Sequence, residues 1–483
     1  MTLSGAEKIS SLKTPKWPNN NNNNNRNPGI PSKTVLPKWL NRLLKLIPFT
    51  THQTHLGILS FEAAAIISKL LNLNSSLSDP SIIHLKQSSI TLLGTRKIVS
   101  DDESFLLSLA VAELLHTLRL TALSASSLLK VAQDTSLLLL GPNFDDFAES
   151  GRDPYGWVIE GRELEAVARR AERRVSVTRA LYREMEALAG MERKKKEKSN
   201  GDDDEWEMKI VWRRNEVRRL KEKSYWNQSF DEVGVIIAKL LLSCLARIKL
   251  VFGIGDGCVA ALPRCLSSSS SATVFPDDDD RRSSVGVGVR GGSVSGPLKV
   301  GKIGFSKSGR YRGFFERNTK VLKAPSSTLG AAALALHYAN LIIVMEKMVR
   351  SPQLVGEAAR DDLYAMLPSS IRSSLRSRLR GVGFSASDPV LAREWKDALA
   401  RILGWLSPLA HNMIKWQSER SFEQHSFVMV PKTNVLLLQT LYFANKEKTE
   451  AAITELLVGL NYICRFERQM MNAKTLLECS NFK

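Results

Sequence analysis

Cysteine is scarce in this chain, with five among 483 residues: Cys244, Cys258, Cys265, Cys464 and Cys479. No two form a CxxC pair and no histidine stands at a zinc-ligand spacing from them, which argues against a structural zinc. An odd number without framework spacing suits a reducing compartment. A run long enough to cross a bilayer is also missing. The apolar stretches Val235–Ala246 and Ala331–Met345 are too short, and Lys239, His337 and Asn340 interrupt them, so both read as buried helices. No apolar leader precedes the asparagine run, and Met1-Thr-Leu-Ser4 has no glycine at position 2 for N-myristoylation. The expectation is a soluble intracellular chain. Period-two alternation is absent, which excludes an obvious sheet and leaves an all-α chain.

The residue sets of catalysis are missing in the same way. There is no GxSxG elbow and no HExxH pair. The string Phe252-Gly-Ile-Gly-Asp-Gly257 lacks GxGxxG spacing, follows a helical run and has no Lys-Ser/Thr after it, so it reads as a helix terminus. His337 and His411 read as hydrogen-bonded packing histidines, and Asp361-Asp362 as acids at a helix start. The chain is therefore read as non-enzymatic, with no catalytic residue, cofactor or metal.

Basic residues are in excess, 68 Lys and Arg against 49 Asp and Glu for a net +19. The excess is local. Residues 1–50 carry eight Lys/Arg against one Glu, net +7, and residues 281–323 carry eleven against one Glu, net +10, together 17 of the 19 charges. Both regions are low in core-forming residues and read as disordered, so the folded portions are nearly neutral.

Residues 1–50 hold the Asn19–Asn25 run and one basic amphipathic segment, Trp39–Ile47. That segment reads as a helix docked on its own domain, or touching a membrane surface or a partner groove. Residues 51–150 read as a bundle of four or five helices: Ser78-Asp79-Pro80 and Asp101-Asp102-Glu103 supply start signals, and Gly141-Pro142 a stop. Residues 151–253 form a long charged helical arm, solvent-exposed or coiled coil, folded as an antiparallel hairpin around Asn200-Gly201. A return helix at 230–252 packs on the first bundle. Residues 254–323, with Ser267–Ser271 and Asp277–Asp280, read as a structureless linker. Residues 324–475 read as a second helical module, followed by a 476–483 tail. In it Ser327-Thr328 caps Leu329–Met348, Pro408 closes Val390–Trp405, Pro431 marks a loop exit, and Val435–Met470 is helical.

Two clusters in the second module are candidate interaction residues. Arg372, Arg376 and Arg380 lie at i, i+4 and i+8 on one helix face, with Arg378 beside them and Ser369, Ser370, Ser373, Ser374 and Ser377 interleaved. Such a stripe suits phosphate or an acidic protein surface, or is a solvated face, and phosphorylation of its serines would cancel the charge. Lys446, Glu447, Lys448 and Glu450 follow Leu441-Tyr-Phe-Ala444 with the mixed-charge spacing of an exposed helix.

Several segments resemble a known family. The string from Leu56 to Ala63, with Gly57, Phe61 and Glu62, is followed by Leu77-Ser-Asp79 and Ile83-His-Leu-Lys86. Together they resemble the N-terminal domain of unknown function of the plant phytosulfokine-simulator family. Ser327 to Asn340, with Gly330, His337 and Tyr338, resembles the opening of the family's second conserved domain; Leu367–Leu379 and Thr440–Glu450 continue it in order. The resemblance covers roughly 56–250 and 325–470. It implies a growth regulator linked to phytosulfokine peptide signalling, with no established enzymatic activity and no catalytic residue to carry over. It also implies a nuclear location, with plasma-membrane periphery or cytoplasm as alternatives. Longer relatives carry an N-terminal glycine acylation signal that this chain lacks, which places it in a shorter branch.

Two classes of function follow: an interaction protein that assembles signalling partners, or a nucleic-acid-associated regulator using the basic segments as electrostatic arms. Peripheral contact with an anionic membrane through Trp39–Ile47 is a third. Partner identity and oligomeric state are not encoded in any motif. Salt-dependent nucleic-acid binding by the intact chain, lost on deleting residues 1–50 and 281–323, identifies the second class; the interaction-protein reading expects no such affinity in a filter-binding titration.

Overall fold

The computed structural model describes residues 55–197, 204–254, 313–380, 386–425 and 435–480. Every regular element among the described residues is helical, and the two β-bridges among them, His55 with Ser229 and Thr328 with Asn445, extend into no strand. The segment Trp39–Ile47, the basic stretch before Gly313, the Asn200-Gly201 turn and Pro431 lie outside the described residues.

The first module is built on α1 (Ser60–Ser76), whose Phe61, Ala64, Ile67 and Leu70 recur at three-residue steps and are all buried. α2 (Asp79–His84) starts behind Ser78 with Pro80 in its first turn, where a missing N–H costs nothing. α3 (Leu93–Ile98) leads to α4 (Glu103–Leu128), started by the Asp102 carboxylate, which accepts the Ser104 N–H at 2.9 Å. Against expectation, α4 is apolar and long enough to pass as a membrane span, but 61% of its apolar stretch is buried inside the protein. α5 (Thr135–Leu138) and α6 (Leu140–Ser150) follow. Gly141-Pro142 falls in the first turn of α6 and begins a helix, correcting its assignment as a stop. The stop is Gly151, in the left-handed region at φ 72°.

α7 (Gly161–Glu197) and α8 (Asp204–Lys223) pack on each other, tied by Arg213–Glu184 and Arg214–Glu192 ion pairs. The arm is not free in solvent. Ala171 and Val175 enter the main core, and Leu181, Tyr182, Val217 and Leu220 close a smaller cluster over Phe61. α9 (Phe230–Phe252), capped by Ser229 on the Glu232 N–H at 3.1 Å, lies buried against α1 and α4 and ends at Gly253, φ 64°.

The expected linker 254–323 ends earlier than its composition suggests. α10 (Phe314–Thr319) is helical and continues as a 3₁₀ turn, Lys320–Leu322. Phe314 and Phe315 are buried in the first module, Phe315 stacking on Phe144 at 5.1 Å. A deletion reaching residue 323 would tear that core, so removal of the basic stretch has to stop at 312; residues 281–312 still carry eight Lys/Arg and no acid.

The second module packs α11 (Ala335–Arg350), α12 (Glu357–Met366), α13 (Ser369–Leu379), α14 (Pro389–His425) and α15 (Lys446–Ser480) around one core. Three boundaries differ from expectation. Leu329–Leu334 form turns, with Ala333 at φ 55°, and the helix begins at Ala335. α14 runs through Pro408, because burial of Leu406, Leu409, Ala410 and Met413 outweighs the roughly 3 kcal/mol cost of an interior proline. Residues 435–445 form a strap with one 3₁₀ turn, and α15 starts only at Lys446. Asp361-Asp362 sit inside α12, whose first-turn acid is Glu357.

The two modules form one body. Ile98 of α3 belongs to the second core, and Gly94 lies so close to the Trp405 carbonyl that a Cβ would collide with it. A third cluster joins Leu85, Ile90, Leu106 and Leu109 to Leu437, Leu438 and Phe443 of the strap. At its edge Glu113 of α4 accepts the Leu437 N–H at 2.6 Å and the Trp416 indole N–H at 3.5 Å, with Arg420 at 3.8 Å. Burial pushes the Glu113 carboxyl up, against the Leu437 hydrogen bond and Arg420, which lower it.

A raised carboxyl pKa means stability from Glu113 is fullest below its unfolded value and falls as pH rises through the raised one. E113Q removes that dependence, so wild-type stability relative to E113Q should fall as pH rises above about 4, the ordinary glutamate range. E113A, which strands the Leu437 N–H, should cost about 1–3 kcal/mol relative to E113Q in urea unfolding.

Candidate functional site

The two candidate clusters, about 70 residues apart in sequence, meet where α13 lies on α15. α13 carries Arg372, Arg376 and Arg378 and no acid. Ile371 and Leu375 turn inward and fix which face is left to solvent. Arg372 lies half-buried over the Tyr364 ring at 5.1 Å, its guanidinium donating to the Ala365 carbonyl at 2.8 Å. Arg376 donates to the Tyr364 hydroxyl at 2.8 Å, and Arg378 pairs with Glu455 of α15. α13 ends at Leu379, and Arg380 is extended at φ −67°, ψ 121°, so the expected stripe is one residue shorter than an i, i+4, i+8 helical row. Arg376, Arg378 and Arg380 remain exposed, as do Ser373, Ser374 and Ser377 between them.

On α15 the four charged residues divide. Glu447 and Lys448 are exposed, whereas Lys446 and Glu450 are partly covered. Glu450 faces the core and accepts the Tyr338 hydroxyl at 2.7 Å and the Ser370 hydroxyl at 2.9 Å, with Lys446 4.0 Å away. Burial, reinforced by the Glu450 carboxylate, pushes the Tyr338 hydroxyl up, so it stays a donor. Glu450 is therefore a joint among α11, α13 and α15. The exposed candidates reduce to Arg376, Arg378, Arg380, Glu447 and Lys448.

The motif residues serve packing. Leu329 and Gly330 donate their N–H groups to the Ala444 and Tyr442 carbonyls at 2.9 and 2.8 Å, and Lys446 donates its own to Ser327 at 2.8 Å. The opening of the second module is thus laced to the strap. Asn445 donates its N–H to Ile98 of the first module at 2.7 Å, while its side chain caps α15 by accepting the Lys448 N–H at 3.0 Å. His337 Nε2 bonds the Met366 carbonyl at 2.8 Å, tying α11 to α12. Asn340 is exposed. In the first module Gly57 takes φ 52°, which starts the turn into α1. Phe61 meets Tyr182 and Trp226 edge-on at 5.3 and 5.8 Å. Glu62 is partly buried, which pushes its carboxyl up.

Other chemistry-bearing groups are accounted for by packing. His411 bonds Glu346 at 2.7 Å, and Glu346 also pairs with Arg350 at 2.6 Å. Cys244 and Cys464 are free and buried, and burial pushes the Cys244 thiol up to about 12, which leaves it protonated. Among the described residues no group of His, Cys, Asp and Glu could hold a metal ion. The residue that sequence reasoning missed is Glu113. Its signal was present: seven residues after Leu106, it falls on the buried stripe of an apolar helix.

The family model described as a domain of unknown function (DUF3475) matches residues 58–114, and that described as a protein of unknown function (DUF668) matches 328–415. PSK SIMULATOR 3 of Arabidopsis thaliana is 27% identical over 431 residues, 86% of this chain and 57% of that protein. PSK SIMULATOR 1 of the same plant is 27% identical over 434 residues, 86% of this chain and 56% of its own. PSK SIMULATOR 2 is 29% identical over 164 residues, 32% of this chain and 26% of its own. The chain thus spans a little over half the length of the first two, and the matches indicate no enzymatic family. No solved structure matches it significantly.

A Cβ at Gly330 would stand 2.5 Å from the Tyr442 carbonyl and 2.8 Å from its ring. G330A should therefore destabilise the fold by about 1–3 kcal/mol in thermal or urea unfolding, while G356A, where a Cβ meets open space, should change it by less than about 1 kcal/mol.

Proposed function

We propose that this chain, a relative of the PSK SIMULATOR proteins carrying DUF3475 and DUF668 domains, is a non-enzymatic plant regulatory protein. It promotes growth in connection with phytosulfokine signalling and acts by binding other proteins, with the nucleus as its site of action. The observation that carries the interaction mode is the outward face of α13. Arg376 and Arg378 stand exposed on a helix that has no acid of its own, with exposed Arg380 just past its end, and Lys448 is exposed on α15, against which that helix packs. The Arg376 and Arg378 guanidiniums are oriented by the Tyr364 hydroxyl and by Glu455, and their remaining N–H donors suit an acidic protein segment better than a basic tail does. The exposed serines between them give phosphorylation a direct way to lower the charge of this face.

Proximity labelling in plant cells with the intact chain tests this. R376E/R380E spares the Arg378–Glu455 pair and the core, so its helicity and melting temperature should match wild type while labelling of specific neighbours falls roughly fivefold or more. An unchanged set of neighbours would remove α13 from the interaction.

A further inference from the structure

The N-terminal half of α9 keeps one side open between two contacts. Ser229 and Asp231 stand about 200° apart around its axis, and each holds another segment of the chain. His55 bridges Ser229, and Leu56 donates its N–H to the Gln228 carbonyl at 2.9 Å. Asp231 accepts the Gln133 and Asp134 N–H groups at 3.0 and 3.1 Å. Leu129 and Leu137 press on Gly234 of the same side, where a Cβ would stand 3.0 and 2.7 Å from them. The arc between the two contacts holds Glu232, Val235, Ile236 and Lys239, none of them fully buried. The segment on Asp231 adds apolar surface. Val131 of the 3₁₀ turn Leu129–Val131, Leu138 at the end of α5 and Leu139 after it are 39%, 45% and 50% exposed. Three acids, Asp134, Asp231 and Glu232, stand there against Lys130, while Lys239 is paired with Glu163 at 3.1 Å.

We propose that this surface is the docking site of the chain's own Trp39–Ile47 segment. Leu40, Leu43, Leu44 and Ile47 recur at i, i+3, i+4 and i+7, the spacing of one apolar helix face, and Arg42 and Lys45 fall off that face. The tether selects this occupant. The described residues begin at His55, which is held at the border of the open arc. Seven residues, Pro48–Thr54, join it to Ile47, and they reach at most about 25 Å. Asp231 is only two residues from Ser229, so the apolar surface lies inside that reach. A short tether also supplies an effective concentration in the millimolar range, which a modest contact needs. Charge agrees with the tether: the segment brings two cations to a surface with three acids and one lysine. Its apolar face covers Val131, Leu138 and Leu139, and its cations lie toward Glu232 and Asp134. Docked in this way, the segment is withheld from a membrane.

Hydrogen exchange on the full chain, read by mass spectrometry, tests this. In wild type the Leu40–Ile47 amides should exchange roughly tenfold or more slowly than in a free peptide of the same sequence, at every protein concentration and without lipid. L138E/L139E alters two exposed side chains, so helicity and melting temperature should match wild type while that protection is lost. V131E makes the same test from the 3₁₀ turn. L43E/L44E, which leaves the described core untouched, should remove the protection from the segment's side. Four results would each overturn the proposal: an unprotected wild type, protection that survives these variants, protection that rises with protein concentration as a second copy would cause, and protection that appears only with phosphatidylserine vesicles.

Discussion

A carboxylate sunk into an apolar helix costs free energy unless donors answer it, and Glu113 on α4 is answered from the other half of the chain. The Leu437 N–H, the Trp416 indole and the Arg420 guanidinium reach it from the strap and from α14. Around that point the strap lays Leu437, Leu438 and Phe443 on Leu106 and Leu109. The same strap then runs on to Asn445, which bonds Ile98 behind it and caps α15 ahead of it. Polar satisfaction and apolar burial thus select the same relative placement of the two modules. A slip that kept the apolar contact but lost Leu437 would leave a buried charge and a buried N–H unpaired.

That placement explains why so much of the candidate surface turned out to be internal. Glu450, Tyr338 and Ser370 form a joint between three helices, His337 ties two more, and Gly330 is a point of backbone approach. What is left to solvent is a narrower set, Arg376, Arg378 and Arg380 with Glu447 and Lys448, around helices that these internal bonds join.

The sequence made the helices legible where local chemistry decides them. Asp102 and Ser229 cap where a short acceptor precedes an apolar run, and Gly253 ends α9 in the conformation that glycine tolerates best. It misled where tertiary packing overrides local preference. Pro408 is carried inside α14 by the leucines on either side of it, and Leu329–Leu334 and residues 435–445 read as helix yet are held as turns and strap by bonds to each other. Composition also hid α10: Phe314 and Phe315 are two aromatics among many basic residues, and their partners, Phe144, Arg119 and Lys249, are distant in sequence. The stripe Arg372, Arg376 and Arg380 was visible as spacing, but which of its members face solvent depended on Tyr364 and Glu455, which spacing does not reveal.

The docking of α10 has a topological meaning as well. α9 ends beside α10, with Lys249 donating to the Phe147 carbonyl at 3.0 Å and lying 5.1 Å from the Phe314 ring. The polypeptide therefore departs after Ile254 and re-enters at Gly313 in the same neighbourhood, on the same module. The stretch between is an excursion from one domain and not a tether between two. The joint between residues 55–254 and 313–480 is carried by packing, through Phe314 and Phe315 in the first core, Gly94 against the Trp405 carbonyl and the strap over α4.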